Sequence, residues 1–208
     1  MDLTQWLSLA TVCLLGAMSP GPSLAVVLKA TLGGGSTAGY ASALAHGAGV
    51  ALYGLLTVAG LAVLITSSPA LFLVLQLAGA VYLVYLGVRS LRSTGESAPE
   101  TPTSLGSAGA ATSGFLVAFL NPKLAVFMLA LFSQFVHPEA AWSEQAVLVS
   151  TVGGIDMSWY SLVVVLASSG NWIERLRRHK PRLDLGMGAL LLLLAFSMAG
   201  RSLWELAS

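Results

Sequence analysis

The sequence predicts an all-α integral membrane protein, with six transmembrane helices arranged as two inverted three-helix repeats and with proline breaks in helices 1 and 4. Three observations carry this expectation. Of 208 residues, 56% are hydrophobic and only 9% charged, with a mean hydropathy of +0.81, whereas a soluble domain carries about 25% charged residues. Six stretches stay apolar for the roughly 20 residues that a helix needs to cross a bilayer. The first and the fourth of these stretches, which open the two halves of the chain, are interrupted by proline.

The composition excludes a soluble enzyme, a nucleic-acid binder and a disordered chain. Ten Lys and Arg against nine Asp and Glu leave a net charge of +1, which gives a charged polymer nothing to bind. The single cysteine, Cys13, excludes an internal disulfide and a CxxC site, and reads as a small buried apolar residue. The apolar run from Trp6 to Met18 is preceded only by Asp2, with no Lys or Arg. It is therefore expected to be a retained membrane span and not a secretory signal.

The spans fall at about 4–28, 38–66, 69–92, 113–136, 143–169 and 183–206. None alternates at period two, which disfavours a membrane barrel. Ser67-Ser68-Pro69 makes a tight turn between the second and third. Residues 93–112, rich in Ser, Thr, Gly and Pro and holding Glu96 and Glu100, read as a flexible cytoplasmic linker. It separates a first repeat, 1–92, from a second, 113–208, within one transmembrane domain.

Charge sets the expected orientation. Lys29, Arg89, Arg92, Arg175, Arg177, Arg178, Lys180 and Arg182 all fall on one side of a six-span chain, and only Arg201 on the other. The basic side is then cytoplasmic and both termini lie outside, in a bacterial-type inner membrane. Trp6, Trp142 and Trp204 fall at the outer interface, and 171–182 reads as a short interfacial helix on the inner leaflet.

Three spans per half force the second half to run inverted. Gly79-Ala80 with Arg89-Ser90-Leu91 in span three echoes Gly188-Ala189 with Arg201-Ser202-Leu203 in span six. The breaks are Ser19-Pro20-Gly21-Pro22-Ser23 and Asn121-Pro122-Lys123. Paired interruptions in corresponding spans point to a transporter binding site. Proline removes a backbone donor and clashes with the preceding turn, so each helix must stop and restart. Ser19 is expected to cap a restart with Pro20 at its first position, and Asn121 to cap one beginning at Pro122. A restarted helix turns free N–H groups and a positive dipole end toward its surroundings, which suits a carboxylate. The structural alternative is a simple kink.

Two charges lie inside spans. Lys123 follows the second break, and Asp156 sits mid-way along span five. Each costs about 2.5–3.5 kcal/mol at the centre of a membrane helix on insertion scales. They are expected to pair with each other or to face an aqueous cavity, with snorkelling as the alternative for Lys123. Trp159 and Tyr160 share the helix face of Asp156, where an aromatic ring could cover an ammonium group. Simple packing is the other reading for each. His46, in span two, is either a proton carrier or an interhelical hydrogen-bonding residue. Gly47, Gly49, Gly54 and Gly60 read as close-packing positions.

The two proline segments, Ser19 to Ser23 and Phe119-Leu120-Asn121-Pro122-Lys123, resemble the signature segments of the LysE/RhtB family of amino-acid exporters. Leu77-Ala78-Gly79-Ala80-Val81-Tyr82-Leu83 with Leu86-Gly87 resembles that family's third span, and Asp156 stands where the family has an acidic residue. The resemblance covers essentially the whole chain. It implies six spans in two inverted repeats, and efflux of amino acids or related small metabolites driven by the proton gradient. It does not fix the substrate. Members often carry several basic residues in the first cytoplasmic loop, where this chain has only Lys29.

The expected function is therefore amino-acid export by proton antiport, without enzymatic activity and without a cofactor. Pro20, Gly21, Pro22, Ser23, Asn121, Pro122, Lys123 and Trp159 are the candidate substrate-binding residues, and Asp156 and His46 the candidate proton-coupling residues. A metal ion or another small solute as cargo is the first alternative, although His46 and Asp156 alone are too few ligands for a metal cage. An intramembrane serine hydrolase using Ser23 and His46 is the second. The expected partners are a small substrate, protons and the lipid bilayer, with no nucleic acid. A homodimer is left open.

Overall fold

The computed structural model describes residues 1–19, 21–68, 106–133, 135–136 and 141–168, with isolated helical positions between 70 and 92 and between 178 and 200. All the elements among the described residues are helices: α1 (Leu3–Met18), α2 (Pro22–Ser67), α3 (Ser107–Phe119), α4 (Pro122–Phe132) and α5 (Trp142–Ser168). The third and sixth expected spans, most of the linker and the interfacial segment fall largely outside the described residues. So does Pro20.

α1 starts in a capping box. Asp2 Oδ1 accepts from the Gln5 amide at 2.7 Å, and Gln5 Oε1 accepts from the Asp2 amide at 3.0 Å. It stops at Ser19, whose backbone is extended at φ −62°, ψ 122°. A residue before proline is pushed out of the α region, and Ser19 precedes Pro20. The helix resumes at Pro22, with the Gly21 carbonyl accepting from the Ala25 amide at 3.0 Å. Ser19 therefore closes α1 and does not cap the restart, contrary to the sequence expectation. Pro22 also biases Gly21 away from the helical region, so the restart is delayed to Pro22 itself, where no N–H is needed.

α2 is two arms. Gly35 has φ 76°, ψ −179°, a region that only glycine adopts without strain. The chain folds back there. Thr31 lies against Gly39, and Leu24, Val27 and Leu28 share a core with Ala43. The first expected span thus corresponds to α1 plus the short arm, 22–34, broken at 19–21. The expected loop around Lys29 to Gly39 shrinks to a single glycine, and Lys29 itself is helical.

The long arm, 36–67, runs antiparallel to α5. Ser36 Oγ is 3.2 Å from Ser168 Oγ at one end, Gly47 faces Gly153 and Met157 in the middle, and Gly54 faces Val152 beyond it. α3 lies parallel to the long arm, with Gly114 against the Ser42 backbone and Gly49 against Phe115 and Ala118. α1 starts beside the start of α5, where Trp6 Nε1 donates to Thr151 Oγ1 at 3.0 Å. Hence α1 and α5 point one way, and the long arm and α3 the other.

α2 and α5 contain stretches long and apolar enough to cross a membrane, and the pair α3 and α4, bent by 55°, supplies a third if counted as one span. In lipid, helices associate by close packing because the tails are as apolar as the side chains. The glycines at these crossings do that work. A methyl at Gly47 or Gly153 would overlap the facing helix, whereas one at Gly60 would meet nothing within 4 Å. α3 begins at Ser107, six residues before the expected fourth span.

Candidate functional site

The second break repeats the logic of the first. Asn121 precedes Pro122 and is extended at φ −79°, ψ 109°, and its side chain accepts from the Lys123 amide at 3.0 Å. Asn121 is thus the N-cap of α4 with Pro122 at N1, as its sequence predicts. Helix geometry leaves the early amides of α2 and α4 without intrahelical partners.

The two breaks share one cavity. Ser19, Gly21, Pro22 and Ser23 line it from the first, and Asn121 and Lys123 from the second. Its volume is about 50 Å³, which at about 10–15 Å³ per water is room for about three to five. Lys123 Nζ donates to Ser19 Oγ at 2.6 Å, tying the start of α4 to the end of α1. His46 and Asp156 line the same cavity.

His46 Nδ1 lies 2.7 Å from Asp156 Oδ2, and both side chains are buried. Two features of the helices permit this. Gly47 lets α2 approach α5 closely enough for the residues beside it to meet. Tyr160, one turn along from Asp156, stacks edge-on against the His46 ring at 4.9 Å and donates its hydroxyl to the Ala17 carbonyl at 3.2 Å. That carbonyl belongs to the last turn of α1, whose ladder the break cuts short. A freed carbonyl in an apolar surrounding needs a donor, and Tyr160 supplies it.

Of the nine sequence candidates among the described residues, seven line the cavity: Gly21, Pro22, Ser23, His46, Asn121, Lys123 and Asp156. Pro122 opens α4 after its Asn121 cap. Asp156 takes His46 as its partner. Lys123, the other partner considered for it, reaches Ser19. Trp159 does not line the cavity. It packs against the core of Leu24, Val27 and Val163, and its indole Nε1 is buried with no hydrogen-bond partner among the described residues. Tyr160 takes the place at the cavity.

Sequence reasoning did not assign Cys13, Gly16, Val50, Phe127, Met128 or Val152 to the site, yet they line it. The available signal was spacing: Gly16 lies one turn before Ser19 and Val152 one turn before Asp156. Ser23, His46 and Asp156 meet at one cavity, the set a serine hydrolase would need. However, His46 Nε2 has no hydrogen-bond partner among the described residues, so Ser23 is not bonded to it as a nucleophile to its base. No group of three or more metal-ligating side chains occurs among the described residues.

Apolar helices, two interruptions meeting at one cavity, and a buried carboxylate paired beside them make up a membrane solute transporter. Residues 14–202 match the LysE type translocator family, and the chain belongs to it. It is similar to the leucine efflux protein of Salmonella choleraesuis strain SC-B67, at 30% identity over 188 residues, 88% of this chain and 86% of the relative. An uncharacterized membrane protein of Pseudomonas aeruginosa is 30% identical over 182 residues, 82% of this chain and 83% of the relative. One of Vibrio cholerae is 27% identical over 203 residues, 92% of this chain and 98% of the relative. No solved structure matches the chain.

Proposed function

We propose that this protein exports amino acids from the cytoplasm in exchange for protons, across a bacterial inner membrane, through six spans arranged as two inverted repeats with both termini outside. One observation carries the reading: the two helix breaks and the His46–Asp156 pair line a single cavity. The efflux function in the name of the Salmonella relatives supports the direction and the class of cargo.

The substrate carboxylate sits between the Lys123 ammonium and the opening turns of α2 and α4, where charge and helix dipole both favour an anion. The substrate ammonium goes to Asp156, whose Oδ2 is held by His46. A carboxylate that holds an ammonium cannot at the same time hold a proton. Competition of substrate and proton for Asp156 links the outward step of one to the inward step of the other. His46 fixes the carboxylate and keeps it from standing unpartnered in an apolar surrounding, which costs far more than a paired group.

The test is flux in proteoliposomes under an imposed pH gradient, with wild type and Asp156→Asn side by side. Gradient-driven movement of an amino acid in the wild type, lost in the variant, is the expected result. An Asp156→Asn protein that transports at the full rate with unchanged pH dependence overturns the coupling role. If no amino acid moves under a verified gradient, the cargo is another small solute, and a metal ion is tried next.

A further inference from the structure

Part of the cavity lining is sorted along the bundle. Four of the lining segments carry a polar residue at the level of the breaks and a glycine or apolar residue about a turn away. α1 has Ser19 and, one turn earlier, Gly16. The long arm of α2 has His46, then Val50. α4 has Lys123, then Phe127. α5 has Asp156 and, one turn earlier, Val152. Because α1 and α5 run opposite to the long arm and α4, these four steps all lead to the same end. It is the end where Trp6 of α1 meets Thr151 of α5.

We infer that this apolar end is the side-chain subsite of the transporter, that it selects an uncharged aliphatic side chain, and that Gly16 sets its size by giving the Phe127 ring its place. The inference rests on the amino-acid reading above and deepens it. A substrate held at Lys123 and Asp156 must send its side chain somewhere, and the lining one turn beyond the breaks, formed by Gly16, Val50, Phe127, Met128 and Val152, is apolar. A lysine, arginine or glutamate side chain there would bury a charge with no partner, a heavy cost. A leucine-like chain would exchange water for Val50, Val152 and Met128, with Met128 as the adaptable wall.

Gly16 is the control point. A methyl at that position would lie 2.9 Å from Phe127 Cζ and 3.2 Å from Cε1, closer than carbon atoms approach without displacement. The ring of Phe127 is buried and packs within the main core. Alanine at position 16 must therefore push the ring away from α1 and reshape the subsite, while the polar floor at Lys123 and Asp156 stays in place.

The experiment is equilibrium binding of radiolabelled leucine to the purified protein in nanodiscs, with unlabelled alanine, leucine and lysine as competitors. Each buried methylene contributes about fourfold in affinity, so leucine should compete at a concentration at least tenfold below alanine, and lysine should be at least tenfold weaker than leucine. Gly16→Ala should shrink the leucine-to-alanine ratio, and Gly16→Ala/Phe127→Leu should restore it by removing the overlap. Lysine competing as well as leucine overturns the subsite, as does a Gly16→Ala protein that binds with an unchanged ratio. If Gly16→Ala fails to fold, the wild-type series decides alone. Absence of leucine binding while alanine or lysine is transported in proteoliposomes overturns the subsite and leaves the exporter reading standing. Absence of binding and of flux for every amino acid overturns both.

Discussion

His46 and Asp156, 110 positions apart in the chain, meet at 2.7 Å inside the helix bundle. Neither has another charged side chain bonded to it among the described residues, so each is the other's compensation for burial. Truncating one leaves a buried polar group unsatisfied, at a cost of about 1–3 kcal/mol. A double-mutant cycle of His46→Ala and Asp156→Asn, read by thermal unfolding in detergent, should give a coupling in that range. Additive effects would mean that the pair contributes nothing as a pair.

Lys123 holds Ser19 at 2.6 Å and, in the proposed mechanism, the substrate carboxylate as well. Lys123→Met should raise the KM for export about tenfold or more, since a hydrogen bond to a charged group contributes about 1.5–3 kcal/mol. Ser19→Ala, which keeps the ammonium, should cost only a few-fold. Initial rates over a range of internal substrate concentrations separate the two. Equal effects would make the Lys123–Ser19 contact, and not the ammonium charge itself, the functional element.

Asn121 caps α4 through the Lys123 amide. Asn121→Ala should lower stability by about 0.5–2 kcal/mol, whereas Asn121→Asp keeps an acceptor and should lose little. Thermal melts of the two variants in the same detergent check this. A melt unchanged in Asn121→Ala would show that the cap is redundant.

Two glycines make a matched comparison. A methyl at Gly114 would overlap the Ser42 backbone carbonyl, which cannot swing aside, whereas one at Gly60 would meet nothing. Gly114→Ala should destabilise by about 1–3 kcal/mol, as overpacking does. Gly60→Ala should be neutral or slightly stabilising, because alanine is the better helix former. Unfolding midpoints of both report the difference.

Cys13 is the only cysteine in the chain and lines the cavity. A small mercurial should therefore label the unmodified protein at one site, and a transported amino acid should slow the labelling. Mass spectrometry of the intact protein follows it directly. Labelling that no transported solute affects would place the substrate away from Cys13.

Both helix breaks could be read from sequence because proline acts locally: it constrains its own φ, its missing N–H and the residue before it. The Asn121 cap was legible for the same reason. Ser19 closes α1 instead of capping the restart because two prolines compete there, and the later one sets the start. Asp156 and Lys123 stood out as charges in apolar runs. Their partners did not, because the partner of Asp156 depends on the register between α2 and α5, set by glycines such as Gly47 that let the backbones close up. The same register decides that Tyr160, and not its neighbour Trp159, faces the cavity. Helical periodicity puts both on one broad face and cannot choose between them.

The three consecutive glycines at 33–35 look like a flexible joint, but only one has a left-handed backbone. Gly35 alone carries a positive φ among the described residues, and a side chain added there would meet nothing within 4 Å. Intolerance at that position would come from chirality and not from crowding, so serine would be as poorly accepted as tryptophan. Gly33 and Gly34 carry no such demand. In a saturation library the triplet should split into two permissive codons followed by one that admits glycine alone, and a D-amino acid introduced by semisynthesis at position 35 should be tolerated where every L-residue fails.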